Sequence, residues 1–306
     1  MSLPKNKHGV AGASSVRLDA GKRSYLLTLT ENKANLELKG DMTTTPKIEE
    51  VRAYWDSRPC NLRHSNALVG TRQYFDEVEA RKYFVESHIP EFADFEAWRG
   101  KRVLEVGCGI GTDAVNFARH GANYTGIELS KLSLELARER FQVYELEGRF
   151  MEVDTELIED SPLQGETFDL IYSFGVLHHT PNPERALRAL RGLCHDSTEL
   201  RIMLYAKRSW KAAMIAAGLD QPEAQNGCPI ALTFTEGEAV TLLADAGFAI
   251  AEVSQDHVFP YQVDPYRNYE YVREPWFDSM PTQVFQALEM HLGWHLLISA
   301  HPTSKN

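Results

Sequence analysis

Three glycines and a carboxylate near residue 105 form the pattern with the clearest chemical meaning. The run from Glu105 to Gly111 reads E-V-G-C-G-I-G and follows a buried strand predicted at residues 102–106. Gly107 allows a tight turn, and Gly109 lets the backbone come close to a ligand. Gly111 permits close packing where a helix begins. The pattern predicts a cofactor site at the carboxyl end of the first strand.

A second carboxylate indicates which cofactor binds there. Glu128 ends the next predicted strand about 20 residues farther on, where a carboxylate meets ribose hydroxyls in sheets that bind nucleotides. A dinucleotide-binding turn beginning at Gly107 would need glycine at its sixth position, where Thr112 stands. Glu105 would crowd a pyrophosphate, but it can hydrogen-bond an ammonium. The residues therefore favour S-adenosylmethionine, which carries an amino-acid ammonium and no phosphate.

Several segments together resemble a known family, the class I S-adenosylmethionine-dependent methyltransferases. The resemblance is closest to the small-molecule branch, which includes the ubiquinone and menaquinone C-methyltransferases. It is firm over roughly residues 100–205, although His195–Thr198 depart from the family's usual Pro-Gly-Gly turn. The segments that match the family in order and spacing are Glu105–Gly111, Glu128–Ser130, Asp154–Glu156 and Phe168–Ser173. The stretch Gly175–Pro181 is typical of the small-molecule branch.

The resemblance implies roles for the matched residues. The three glycines of the turn would line the methionine and ribose portion of the cofactor, with Glu105 near the ammonium. Glu128 would bind both ribose hydroxyls, and Leu129 would pack on the adenine. The other cofactor contacts expected from the resemblance are Ser130, Asp154 at the adenine amino group, Thr155 beside it, and Ser173 and Phe174 at the edge of the methyl site.

Two adjacent histidines are the candidates for a general base. The methyl group of a sulfonium is already electrophilic, so catalysis is mainly alignment, and a base is needed only for a hydroxyl or an acidic carbon acceptor. His178 and His179 follow the fourth predicted strand beside the expected methyl site. Adjacent helical residues point about 100° apart. We therefore expect one of them, His178 in the first place, to face the pocket; alternatively, one caps the helix and the other packs in the core.

Two segments rich in aromatic residues flank the core and are expected to contribute to the substrate pocket. For any single ring, packing in the core is the preferred interpretation. The four cysteines lie far apart and form no CxxC pair, so the sequence predicts neither a zinc site nor a disulfide framework, and we predict no metal site. The expected substrate contacts are Tyr54, Tyr74, Tyr83, Tyr205 and Tyr261.

The alternation of strand and helix patterns predicts the fold class. We expect an α/β, Rossmann-like, seven-stranded and mostly parallel sheet with helices on both faces and an antiparallel last strand. Residues 248–253 and 294–300 would form the closing antiparallel pair, with residues 256–292 inserted between them. The other predicted strands are 102–106, 123–127, 150–153, 168–172 and 200–205.

We divide the 306-residue chain into an extension and one methyltransferase domain. Residues 1–45 are polar and are expected to be a flexible N-terminal extension. Residues 46–306 would form the single domain. Its expected parts are a helical cover at 46–98 above the carboxyl edge of the sheet, the cofactor-binding core at 99–205, and a C-terminal part at 206–306.

Composition limits the partners of the protein. The formal net charge of −11 argues against binding a phosphate backbone, which needs clustered Lys and Arg. No apolar run approaches the ~20 residues that span a bilayer, so we expect no stable membrane insertion. Cysteine usage favours reduced thiols and a cytoplasmic location. The sequence leaves a homodimer open.

We therefore predict an enzyme that transfers a methyl group from S-adenosylmethionine to oxygen, carbon or nitrogen of a small-molecule acceptor by in-line displacement. Two alternatives stay open: an NAD-dependent dehydrogenase on the same fold, and a non-catalytic module that binds S-adenosylmethionine. Ser173–Val176 stand where methyltransferases of adenine or glutamine nitrogens carry a [DNS]-P-P-[YFW] tetrapeptide. This difference argues against DNA adenine and protein glutamine as substrates.

Overall fold

A seven-stranded sheet organises the computed structural model, which describes residues 47–222 and 227–304. The strand order is β3-β2-β1-β4-β5-β7-β6. The pairings among β1 to β5 are parallel, and β7 runs antiparallel to both of its neighbours, β5 and β6. The strands are β1 (Arg102–Val106), β2 (Asn123–Glu128), β3 (Arg149–Glu152), β4 (Phe168–Phe174), β5 (Cys194–Tyr205), β6 (Phe248–Asp256) and β7 (His295–Pro302).

Helices precede, connect and follow these strands. Short 3₁₀ turns lie at Phe95–Trp98, Thr155–Asp160 and Leu177–His179. The helices are α1 (Ile48–Ser57), α2 (Arg72–Val85), α3 (Ile89–Ala93), α4 (Thr112–Arg119), α5 (Lys131–Tyr144), α6 (Pro183–Arg191), α7 (Trp210–Ala216), α8 (Glu236–Asp245), α9 (Val263–Arg267), α10 (Pro275–Asp278) and α11 (Thr282–Leu292).

The two faces of the sheet pack into different core clusters because successive strand residues point to opposite faces. In β1, Leu104 and Val106 join a cluster with residues of α6 and α8, whereas Val103 joins a cluster with residues of α4 and α5. In β4, Ile171 lies in the first cluster and Leu170 in the second. Helices therefore cover both faces, which is why these strands read as continuous apolar runs.

The predicted fold class is confirmed, including the antiparallel last strand. The strand predicted at 200–205 is longer than expected, because β5 begins at Cys194 and includes His195–Thr198. The register shifts there: Phe168 pairs with Cys194, and Leu170 pairs with Glu199. The Thr198 hydroxyl fills the break, since it donates to the Phe168 carbonyl at 2.6 Å and accepts from the His195 amide at 2.9 Å. A bulge therefore stands where a Pro-Gly-Gly turn was the family expectation.

The expectation for residues 1–45 lies outside the described residues. Within residues 47–222 and 227–304, no helix combines the length and apolar character needed to cross a bilayer.

A buried arginine joins the N-terminal helices to the sheet layer. Arg140 of α5 is fully buried, and its guanidinium donates to the Thr112 hydroxyl at 2.8 Å and to the Phe75 carbonyl at 3.0 Å. It also pairs with the Glu79 carboxylate at 3.1 Å. One side chain thereby connects α2, α4 and α5, and its loss would leave the groups it contacts without that donor.

We predict that Arg140→Met lowers the free energy of unfolding by about 3 kcal/mol, because the Thr112 hydroxyl and the Phe75 carbonyl lose a buried charged donor. Glu79 keeps its ion pair with Arg119. Urea unfolding followed by circular dichroism measures this. Arg138→Met is the matched control on the same helix, since Arg138 is exposed, and it should change stability by about 0.5 kcal/mol or less. Equal losses in both variants would contradict the structural role assigned to Arg140.

Candidate functional site

A cavity of about 460 Å³ lies at the edge of the sheet where the parallel strands β1, β2 and β4 end. This volume is within the ~300–1,000 Å³ range of small-molecule sites. Residues of α1 and the loop after it, such as Val51, Tyr54 and Pro59, form part of the wall. The predicted site residues that line it are Tyr54, Glu105, Gly107, Gly109, Glu128, Leu129, Asp154, Thr155, Phe174, His179 and Tyr205.

Three predicted cofactor residues do not line the cavity. A Cβ on Gly111 would lie 3.2 Å from the Cβ of Ala137, so this glycine allows α4 to pack closely on α5. Ser130 is buried, and its hydroxyl caps α5 by accepting from the Ser133 amide at 3.1 Å. Ser173 is buried within β4.

Three predicted substrate tyrosines also lie elsewhere. Tyr74 is fully buried and donates to the Leu62 carbonyl at 2.9 Å. The Tyr83 hydroxyl donates to the Asp113 carboxylate at 2.9 Å. Tyr261 packs against the ring of Phe84, with the ring centres 6.1 Å apart.

The glycine turn holds the backbone open toward the cavity. Gly107 and Gly109 have φ angles of 71° and 52°, in the left-handed region that favours glycine. A Cβ on Gly107 would lie 2.3 Å from a methyl carbon of Val176, so only glycine fits. A Cβ on Gly109 would meet no protein atom within 4 Å. Since Gly109 lines the cavity, a side chain there would take space available to a ligand.

The Glu128 carboxylate fixes the shape of this turn. It accepts from the Gly109 amide at 2.9 Å, the Leu129 amide at 2.8 Å and the Ser130 amide at 2.9 Å. A carboxylate has about four lone-pair positions, so one is left for a ligand hydroxyl. Burial raises the pKa of Glu128, and the three amide donors oppose that rise.

Glu105 is a buried carboxyl group at the wall of the same cavity. It is 4% exposed, and the Tyr124 hydroxyl donates to it at 2.6 Å. Burial and the nearby Asp113 carboxylate raise the pKa of Glu105 to about 8. A cationic ligand group placed beside Glu105 would offset both effects.

The cavity also contains residues that the sequence analysis did not select. Lys82 of α2 donates to Asp113 at 2.8 Å, and this ion pair is almost fully buried. Glu86 follows α2, and Trp294 and His295 lie at the start of β7; all three line the cavity. Their place depends on how α2 and β7 meet the sheet, and no local sequence pattern identifies them.

The two candidate bases occupy different environments. His179 lines the cavity, whereas His178 is fully buried beneath it and packs on the Tyr205 ring, with centroids 3.7 Å apart. The Nδ1 of His179 lies 2.6 Å from the Ile230 carbonyl and must donate to it, which leaves the lone pair on Nε2. Burial lowers the pKa of His179 to about 4. His179, rather than the favoured His178, is therefore the neutral imidazole at the cavity wall.

Sequence comparison identifies residues 104–200 as a methyltransferase domain. The chain is 38% identical over 90 residues to the ubiquinone biosynthesis O-methyltransferase of Alkalilimnicola ehrlichii, a match that covers 29% of this chain and 36% of that protein. The chain thus spans little more than a third of the length of this curated relative.

Solved structures share the fold over most of the chain. Magnesium protoporphyrin IX methyltransferase from Synechocystis PCC 6803, solved with bound S-adenosylhomocysteine, has a TM-score of 0.56 and 17% identity, covering 84% of this chain and all of that one. The [4+2]-cyclase SpnF has a TM-score of 0.53 and 19% identity, covering 86% of this chain and 98% of that one.

These findings agree with the family that the sequence resembles and give no support to the dehydrogenase or the non-catalytic alternative. Residues 104–200 are a methyltransferase domain, and the chain has the fold of the class I S-adenosylmethionine-dependent methyltransferases.

Proposed function

We propose that this protein binds S-adenosylmethionine and transfers its methyl group to a small-molecule acceptor. One observation carries the proposal: Glu105, the Gly107–Gly109 turn, Glu128 and Asp154 all face a single cavity at the carboxyl edge of the sheet. These are the groups that an amino acid joined to an adenosine would need along its length.

The chain's own residues suit the two ends of this cofactor. Glu105 would take the ammonium, since a positive group compensates a buried carboxyl whose pKa is raised. The free lone pair of Glu128 would accept one ribose hydroxyl, and Leu129 and Asp154 would contact the adenine. The carboxyl group of Glu105 at the cavity wall would crowd a pyrophosphate, which favours S-adenosylmethionine over NAD.

The acceptor would bind at the aromatic end of the cavity. Phe174, Met203, Tyr205 and Trp294 line this part, and the rings of Tyr205 and Trp294 lie 4.4 Å apart. The sulfonium makes the methyl carbon electrophilic, so these side chains would mainly align the acceptor and exclude water. For a hydroxyl or acidic carbon acceptor, His179 Nε2 would receive the proton.

Other features of the expected function stay predictions from the sequence. These are a cytoplasmic location, a homodimer as an open option, the absence of a nucleic acid partner, and the choice among oxygen, carbon and nitrogen as the methylated atom.

We predict that Glu128→Gln weakens binding of S-adenosylhomocysteine about tenfold or more. Losing a hydrogen bond to a charged acceptor costs about 1.5–3 kcal/mol, and each 1.4 kcal/mol is tenfold in affinity. Glutamine keeps the size of the side chain and one carbonyl acceptor for the turn. Isothermal titration calorimetry measures the affinity, and Glu147→Gln, a change at an exposed residue, is the matched control.

Undiminished binding by Glu128→Gln, or no binding by the wild-type protein, would overturn the proposed cofactor site. Transfer itself is tested with S-adenosylmethionine labelled in its methyl group and a panel of phenols, carboxylic acids and amines. Labelled product establishes an enzyme. Tight cofactor binding without product on any acceptor would instead favour the non-catalytic module.

We predict that stability falls as pH decreases from about 6.5 toward 4, in part because of His179. The pKa of His179 in the folded protein is lowered to about 4 from its ordinary 6.5. Between these pH values His179 binds a proton in the unfolded chain but not in the folded protein. The stability that comes from a neutral His179 is therefore fully present above about pH 6.5 and is lost progressively as the pH falls toward 4. In urea unfolding at several pH values, His179→Gln should reduce the dependence by up to about 1.4 kcal/mol per pH unit. An identical dependence in both proteins would contradict a neutral, buried His179.

A further inference from the structure

Two histidines and a glutamate meet beside the aromatic end of the cavity. One ligand atom from each of Glu86, His257 and His295 lies within 4.8 Å of the other two. Glu86 and His295 also line the cavity. Neither the sequence analysis nor the proposed methyl transfer gives these three residues a role.

The fold brings the three residues together from distant parts of the chain. Glu86 is the residue after α2, and His257 is the residue after β6. His295 begins β7, where it pairs with Asp256 in the antiparallel register. The Trp294 amide donates to the His257 carbonyl at 2.8 Å, which fixes the two histidines across adjacent strands.

The backbone of His257 is held in an uncommon conformation. Its φ angle is 74°, which non-glycine residues adopt at an energetic cost. Residues held in this way are concentrated at functional sites, where surrounding structure compensates the strain. The backbone conformation of His257 therefore supports a functional site at this cluster, independently of the distances between the side chains.

Both ring nitrogens of His295 have polar neighbours, and these contacts limit where its proton lies. His88 Nδ1 lies 3.8 Å from the Asp256 carboxylate, His88 Nε2 lies 2.9 Å from His295 Nδ1, and His295 Nε2 lies 3.6 Å from the Glu86 carboxylate. Of these contacts only the one between His88 and His295 is short enough for a hydrogen bond, and each neutral imidazole supplies one N–H. If His295 Nδ1–H donates to His88 Nε2, the single N–H of His88 lies on Nδ1 and faces Asp256, and the lone pair of His295 Nε2 points toward the Glu86 carboxylate.

In that tautomer two acceptors face each other, and a cation between them would stabilise the arrangement. We propose that Glu86, His257 and His295 bind a divalent transition-metal ion, with His88 and Asp256 orienting His295. Two imidazoles and one carboxylate form a ligand set that suits zinc and related ions, whereas magnesium and calcium prefer oxygen ligands. A ligating histidine commonly donates its second N–H to an acceptor, as His295 does in this arrangement.

The geometry requires a modest contraction. Bonds of about 2.0–2.2 Å to a tetrahedral ion bring ligand atoms roughly 3.3 Å apart, while the present ligand atoms all lie within 4.8 Å of one another. Small rotations of the three side chains supply the difference. A fourth position would open toward the cavity, because Glu86 and His295 are part of its wall.

The open position suggests the class of acceptor. An oxygen of the acceptor, such as a phenol or an enol, would complete the coordination of the ion. This extension rests on the proposed methyl transfer, whereas the metal site itself does not. The two are distinguished by measuring metal binding without cofactor, and S-adenosylhomocysteine binding without metal, on the same full-length protein.

Metal binding is tested on the full-length protein after dialysis against a chelator. Calorimetric titration with Zn²⁺ should give one tight site, and Co²⁺ should give the visible absorption of a tetrahedral nitrogen- and oxygen-ligated ion. Glu86→Gln and His257→Gln should each weaken Zn²⁺ binding about tenfold or more. His301→Gln is the matched control, since His301 lies on β7 away from the cluster and is exposed.

The outcomes separate the proposal from a structural role for the cluster. Circular dichroism and thermal unfolding verify that each variant is folded. Glu86 is less buried than His295, so we expect Glu86→Gln to fold even if a histidine variant does not. Absence of a one-to-one Zn²⁺ site in the wild-type protein would overturn the proposal. So would equal Zn²⁺ affinities in wild-type, Glu86→Gln and His257→Gln proteins, because the bound ion would then lie elsewhere.

Discussion

The candidate site depends on two carboxyl groups at the ends of neighbouring strands, Glu105, which is buried, and Glu128, which is half-buried. Burial of a charge is costly unless other groups compensate it. Glu128 is compensated by three backbone amides, which also hold the glycine turn in place. Glu105 accepts from the Tyr124 hydroxyl, while the nearby Lys82 is paired with Asp113. The cavity therefore favours a ligand with a cation at Glu105 and a hydroxyl donor at Glu128.

The sequence predicts the cofactor half of the site because short-range patterns place it. Glu105 and Glu128 each lie near the end of a strand followed by a helix, and β1 and β2 pair directly, with Arg102 opposite Asn123. Consecutive parallel strands with short connections bring their carboxyl ends to one edge. Alternation of strand and helix was therefore sufficient to identify the sheet, the turn and the acidic partner. It could not show that Gly111 and Ser130 serve helix packing and capping, because glycine and serine suit both purposes.

The acceptor half depends on helix rotation and on contacts between distant segments. Tyr74 and Tyr83 lie on α2, but it is Lys82 on this helix that reaches the cavity, about 100° around the axis from Tyr83. The same ambiguity applies to His178 and His179, which differ by one position and lie in different environments. Periodicity finds such an element but leaves its rotation undetermined when several polar and aromatic residues follow one another.

The direction of β7 explains why the ends of the predicted strands did not identify the residues of the acceptor half. Parallel strands offer their carboxyl ends to the site, whereas β7 runs in reverse and offers its first residue, His295, which lies opposite Tyr205 of β5 and Asp256 of β6. The [4+2]-cyclase SpnF shares this fold, so a common sheet can carry different chemistry. In this chain the residues that would select an acceptor are therefore to be sought where α2 and β7 meet the edge that we propose binds the cofactor.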